Sequence, residues 1–99
     1  MRLTEAQRQS IKSAVTSVIG EGSRIWLFGS RVDDAKRGGD IDLLIETDSV
    51  VPSRTNALCR IEGALAVRLG IRKIDVLLKD AQTAEAPIFH AARKSGVLL

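Results

Sequence analysis

Residues 27–46 read LFGSRVDDAKRGGDIDLLIE. These letters divide into an apolar segment, a polar stretch that ends in two glycines, and a second apolar segment. Apolar, β-favouring segments bounded by glycine and polar residues are typical of strands. We therefore predict strands over 24–28 and 40–46, joined by a loop over 31–39. Three consecutive apolar residues at 43–45 indicate that the second strand is buried on both faces.

The flanking sequence predicts helices and a third strand. Thr4 followed by Gln7 forms a capping-box pattern, and apolar residues then recur at helical spacing until Gly20. The other predicted elements are a helix over 54–69, a strand over 72–78 and a last helix from Pro87 to Gly96. The order of helices and strands predicts an α/β (α+β) fold in a single domain over residues 1–99.

The composition limits the classes of function. Hydrophobic residues make up 44% of the chain and charged residues 27%, as in soluble globular proteins. Fifteen basic against twelve acidic residues give a net charge of +3, and one Trp with two Phe are the only aromatic residues. This argues against a nucleic-acid surface of basic and stacking side chains. A single cysteine, and an N-terminus without an apolar stretch, predict the reducing cytoplasm.

Three acidic residues lie where strands are predicted. Asp40 and Asp42 share one face of their strand, because side chains alternate along a strand. Asp75 interrupts the apolar third strand, and it reaches the same place if the helix over 54–69 joins two neighbouring strands. Carboxylates that converge in this way repel one another unless a cation lies between them. Mg²⁺ prefers such oxygen ligands, and two ions form the site used for phosphoryl transfer.

The glycine and serine after the first strand predict the other half of a site. Gly29 lets the backbone approach an anion closely, and the Ser30 hydroxyl can donate a hydrogen bond to phosphate. Together with the acidic residues they predict a nucleoside triphosphate site. Simpler interpretations remain open, namely a solvated strand end for the acids, a helix cap for Ser30, and a solvated loop rather than a phosphate contact for Arg31.

The stretch LFGSRVDDAKRGGDIDLLIE, followed by KIDVLL at 73–78, resembles the nucleotidyltransferase superfamily that includes DNA polymerase beta. More narrowly, it is similar to the minimal nucleotidyltransferases (the MNT group) of bacteria and archaea. The shared pattern is Gly-Ser, a spacer of about ten residues, Asp-x-Asp, and a later Asp on a strand. The resemblance extends over about residues 5–97, and it implies a mixed sheet of three to four strands with helices packed on it.

The resemblance also implies roles for individual residues. Ser30 would bind the outer phosphates of ATP, and Gly29 would permit their close approach. Asp40 and Asp42 would bind two Mg²⁺ ions. Asp75 would bind the catalytic ion and help to deprotonate the attacking hydroxyl.

Many members of the MNT group are antitoxins paired with a HEPN-type toxin, and they are thought to transfer AMP from ATP to a toxin tyrosine. The alternative is an antitoxin that neutralises its partner by contact alone, for which the apolar end Val97-Leu98-Leu99 is suitable. A polymerase or tRNA-repair role is disfavoured, whereas a small-molecule acceptor stays open. We expect Cys59 to be a packing residue and His90 to have a structural or surface role.

Overall fold

The computed structural model describes residues 3–29, 40–70 and 73–99, with Asp40 and Lys73 described by their backbone. The predicted loop over 31–39, with Arg31, and the preceding Ser30 lie outside the described residues. The elements are α1 (Glu5–Ile19), β1 (Arg24–Phe28), β2 (Asp40–Glu46), α2 (Arg54–Leu69), β3 (Lys73–Lys79), α3 (Pro87–Ser95) and β4 (Val97–Leu98).

The four strands form one sheet in the order β3-β2-β1-β4. β2 and β3 are parallel, whereas β1 pairs antiparallel with both β2 and β4. The crossover connection that a parallel pair requires is supplied by α2, which lies between β2 and β3 in the chain. This mixed α+β architecture confirms the predicted fold class.

Local signals in the sequence account for where α1 begins and ends. The Thr4 hydroxyl accepts a hydrogen bond from the Gln7 backbone N–H at 3.0 Å, and the Gln7 side chain accepts one from the Thr4 N–H, also at 3.0 Å. These two bonds satisfy N–H groups that the first turn of a helix leaves without partners. The helix ends at Gly20, whose N–H donates to the Thr16 carbonyl oxygen. The predicted capping box is therefore confirmed.

The larger core lies on the sheet face covered by α1 and α2. Its centre is Ile41, Leu43 and Ile45 of β2, all completely buried. They pack with buried residues of the two helices, which are Ile11, Ala14 and Val15 of α1 and Ala57, Ile61 and Leu65 of α2. Burial of each large aliphatic side chain stabilises the fold by roughly 1.5–3 kcal/mol.

The opposite sheet face carries a smaller core under α3. Leu44 of β2 is completely buried there with Phe89 and Ala92 of α3, and Trp26 and Leu77 pack against them partly buried. β2 is therefore buried on both faces, as residues 43–45 predict. Because α3 has only nine residues, it covers the middle of this face, and the strand ends beside it carry polar residues.

Two strand assignments differ from the sequence prediction. β3 extends one residue beyond its predicted end at Leu78, to Lys79, and its predicted start at Arg72 lies outside the described residues. β4 was not predicted, because a strand of two residues is too short to show an alternation of apolar and polar residues. It forms because the chain after α3 returns along β1, where the Leu99 N–H donates to the Ile25 carbonyl oxygen at 2.8 Å and Arg8 Nη1 to the Leu99 carbonyl oxygen at 2.6 Å.

Cys59 is exposed on α2, so its predicted packing role is wrong. The buried face of α2 is formed by Ala57, Ile61 and Leu65. Cys59 lies two positions from both Ala57 and Ile61, so its side chain is on the other side of the helix. His90 is exposed on α3, in agreement with a surface position. Within the part of the chain that the structure describes, no helix has the length and apolar character needed to cross a bilayer.

Candidate active site

The parallel pairing of β2 and β3 aligns two of the predicted acids. Asp42 and Asp75 are register partners, and so are Leu44 and Leu77 two residues further along. Both leucines pack in the core under α3, and alternation along a strand puts the two aspartates on that same sheet face. Neighbouring strands lie about 4.8 Å apart. The two carboxylates therefore share one face at the beginning of adjacent strands.

The accessibility of this pair suits a ligand site. Asp75 is exposed, and Asp42 is half-buried between β1 and β3. Asp40 lies two residues before Asp42 and pairs with Lys73 through its backbone. The side chains of Asp40 and Lys73 lie outside what the structure describes, so the third carboxylate of the site stays a prediction.

The end of β1 lies directly against Asp42. Antiparallel pairing makes Phe28 the register partner of Asp42, and Gly29 follows with a φ of +76°. A Cβ atom placed on Gly29 would lie only 2.9 Å from Asp42 Cγ and 3.2 Å from Asp42 Cβ. The Asp42 side chain thus occupies the space in which a side chain of residue 29 would begin. Ser30 and Arg31, the next two predicted site residues, lie outside the described residues and stay predictions.

The opposite end of the same sheet face is occupied by an ion-pair network. Glu46, at the end of β2, is only 9% exposed and contacts both Arg24 of β1 and Arg93 of α3. Arg93 also contacts Glu85, and Arg24 also contacts Asp48 at 3.1 Å. The network attaches α3 to the sheet at the end away from Asp42.

A second buried acid, Asp80, follows β3 and was not singled out from the sequence. Its carboxylate is 3% exposed and accepts hydrogen bonds from the backbone N–H groups of Val51 at 2.9 Å and Gln82 at 3.0 Å, and from the Thr83 hydroxyl at 2.9 Å. Arg54 Nη1 lies 3.5 Å away. The hydrogen bond from Val51, followed by that from Thr83, lowers the pKa of Asp80 below its usual value. Nothing in the sequence distinguishes Asp80 from other acidic residues in the polar segments that connect helices and strands.

Asp80 is assigned a structural role by these contacts. It joins the end of β3 to the segment before α2, and it borders a pocket of about 440 Å³ lined also by Pro52, Ser53 and Thr55. That pocket lies beyond the ends of β2 and β3, whereas Asp42 and Asp75 lie near their beginnings. None of Gly29, Asp42 and Asp75 lines it.

A mixed sheet with aligned aspartates on parallel strands, next to a glycine turn, is the arrangement that the sequence predicts for a nucleoside triphosphate site. The nucleotidyltransferase domain family matches residues 8–94, a span that contains Gly29, Asp42 and Asp75. The chain therefore belongs to the nucleotidyltransferase domain family, whose members generally use a nucleoside triphosphate and divalent metal ions. Among curated proteins, no sequence matches this chain.

The described residues fit a divalent cation in the kind of donor that they offer. Asp42 and Asp75 supply carboxylate oxygens, which Mg²⁺ prefers, and a Mg²⁺ site commonly needs only one or two protein carboxylates with substrate phosphates and water. No group of three or more His, Cys, Asp or Glu side chains that could hold a metal occurs among residues 3–29, 41–70 and 74–99. A third protein ligand would have to come from outside those ranges, as predicted for Asp40.

Proposed function

We propose that this protein transfers AMP from ATP to a hydroxyl group of a partner protein, and that the partner is a HEPN-type toxin modified on a tyrosine. Membership of the nucleotidyltransferase domain family supports the transfer of a nucleotide. The resemblance to the MNT group supports the antitoxin role and the partner. The observation that carries the proposal is the alignment of Asp42 with Asp75 on adjacent parallel strands beside Gly29.

The proposed reaction assigns each site residue a task. The hydroxyl oxygen of the acceptor bonds to the α-phosphorus of ATP, the bond to the pyrophosphate breaks, and pyrophosphate leaves. Asp75 takes up the hydroxyl proton. Asp40, Asp42 and Asp75 would hold two Mg²⁺ ions, which neutralise negative charge on the phosphates when bound.

We assign the binding of the triphosphate group of ATP to the residues after β1. Ser30 and Arg31 are proposed to donate hydrogen bonds to the outer phosphates, and Gly29 permits the close approach. A single cysteine, Cys59, supports a cytoplasmic location, where thiols stay reduced.

The test compares two aspartate variants that differ only in position. Asp42→Asn removes a proposed metal ligand, whereas Asp48→Asn changes an 87% exposed aspartate that contacts Arg24. Each variant is incubated with ATP, Mg²⁺ and the product of the neighbouring gene, and the intact mass of the partner is measured. We expect AMP adducts with the wild type and Asp48→Asn and none with Asp42→Asn. Equal transfer by Asp42→Asn would contradict the assignment.

A second candidate is an antitoxin that neutralises its partner by contact, with nucleotide bound weakly or not transferred. It is favoured by the exposed apolar side chains at the end of the chain, where Leu98 is 60% and Val97 36% exposed. The two candidates differ in their response to Asp40→Ala. Neutralisation that survives Asp40→Ala, in a tight complex without AMP adducts, would favour contact alone.

A further inference from the structure

Gly29 and Asp42 are in closer contact than any other glycine and acidic side chain in the described parts of the chain. The space where a side chain of residue 29 would begin is occupied by the carboxylate of Asp42, with Asp42 Cγ only 2.9 Å from the ideal Cβ position. Carbon atoms that are not bonded lie about 3.5–4.0 Å apart at their optimum. Any side chain at position 29 therefore conflicts with Asp42 where it stands.

The conflict is specific to Gly29. Gly20 and Gly70 also have positive φ values, +86° and +64°, which bracket the +76° of Gly29. A Cβ atom on either of them would meet no atom within 4 Å. The three positions share a positive φ, which disfavours a side chain, and only Gly29 adds the contact with Asp42.

We propose that Gly29 is a positioning residue for Asp42, in that its missing side chain leaves the space in which the Asp42 carboxylate is held toward the site. This role adds to the phosphate approach already assigned to Gly29, and its importance for transfer rests on the proposed function. In this role Gly29 is needed to keep the Asp42 carboxylate in place even when no nucleotide is bound.

The atoms involved determine what Gly29→Ala does. The two Asp42 atoms nearest to the new methyl group, Oδ2 and Cγ, belong to the rotatable end of its side chain, whereas Asp42 Cβ at 3.2 Å has to move only by a few tenths of an ångström. The carboxylate can therefore turn away while β2 keeps its place in the sheet. Side chains occupy discrete rotamers, and such a turn moves the oxygens by more than the roughly 0.5 Å that a functional constellation tolerates. The expected product is a folded protein with a displaced Asp42 carboxylate.

The experiment compares Gly29→Ala with Gly20→Ala as the matched control. The carboxyl ¹³C resonance of Asp42 is followed by NMR in metal-free protein at one neutral pH, and it is assigned by its loss in Asp42→Asn. Binding of Mn²⁺ alone is measured by electron paramagnetic resonance. We expect Gly29→Ala to move the Asp42 resonance and to weaken Mn²⁺ binding by about 10–100-fold, as for changes that disturb the partners of a metal ligand. Gly20→Ala should leave both unchanged.

Several outcomes separate this proposal from its alternatives. An unmoved Asp42 resonance and unchanged Mn²⁺ binding in Gly29→Ala, with weaker ATP binding, would overturn the positioning role and leave only the phosphate role. If the wild type binds no Mn²⁺ while the Asp42 resonance still moves, the positioning role stands and the proposed function fails.

A double variant keeps the test decisive if Gly29→Ala does not fold. Asp42→Ala removes the carboxylate that the new methyl group meets, so Gly29→Ala with Asp42→Ala should fold. A double variant that stays unfolded would overturn the proposal, because the conflict would then lie with the backbone.

Discussion

Leu44→Ala measures how firmly α3 is packed on the sheet beside the candidate site. Leu44 is completely buried under Phe89 and Ala92 of α3. The substitution removes three carbon atoms. At roughly 0.8 kcal/mol per buried carbon, the stabilisation from burying the side chain falls by about 2.4 kcal/mol. The cavity adds to this loss because the packed neighbours relax only in part. We expect the free energy of unfolding to fall by roughly 3–4 kcal/mol, within the range for such substitutions.

Thermal unfolding followed by circular dichroism checks this value. At about 4–8 °C per kcal/mol for a domain of this size, a loss of roughly 3 kcal/mol lowers the Tm by about 12–24 °C. Leu98→Ala is the matched control, since Leu98 is 60% exposed on β4 and should lose about 1 kcal/mol or less. A loss under about 1 kcal/mol for Leu44→Ala would refute the burial of this sheet face under α3.

Three further predictions concern positions away from the candidate site. The hydrogen bond from the Val51 N–H is the main cause of the lowered pKa of Asp80. Ionised Asp80 therefore stabilises the fold, and this contribution is complete above the unfolded-state pKa of 3.8. It is lost as the pH falls through the lower pKa of the folded state. The Tm difference between wild type and Asp80→Asn should therefore narrow below about pH 4, as measured by thermal unfolding from neutral to strongly acidic pH. Gly63→Ala should stabilise α2 by about 1 kcal/mol, since no atom lies within 4 Å of the added Cβ. Gly96→Ala should destabilise, because its Cβ would lie 2.5 Å and 2.9 Å from two backbone carbonyl oxygens; thermal unfolding distinguishes the two signs.

Each of these predictions has a result that contradicts it. A Tm difference for Asp80→Asn that is constant from neutral to strongly acidic pH would mean that the ionised carboxylate is not favoured by folding. A stabilised Gly96→Ala protein would mean that the turn between α3 and β4 has room for a side chain. A destabilised Gly63→Ala protein would mean that α2 packs closely at a point where the structure has open space.

Much of the secondary structure could be predicted because its signals lie within a few residues. The capping box of Thr4 and Gln7 marks the beginning of α1, and Gly20 marks its end. Alternation along β2 explains why Leu44 faces α3 while its neighbours face the other helices. The family pattern within residues 27–46, with KIDVLL after it, was sufficient to predict the nucleotidyltransferase fold.

The residue types of the candidate site stay a prediction from the sequence, and part of the geometry of the site depends on how the strands pair. Spacing alone puts Asp40 and Asp42 on one face of a strand. The alignment of Asp75 with Asp42 depends on the register of two strands joined by α2, and a shift of one residue would have turned Asp75 to the other face. The contact between Gly29 and Asp42 depends in turn on the pairing of β1 with β2.

The amino-acid sequence by itself determined the helices, the three longer strands and the acidic residues of the candidate site, because caps, glycine stops and hydrophobic periods act over short distances along the chain. Only the tertiary structure decided the pairing of β4, the contacts of Arg93 with Glu46 and the hydrogen bonds of Asp80. Each of these joins residues distant in sequence, so it exists only once packing has brought their elements together.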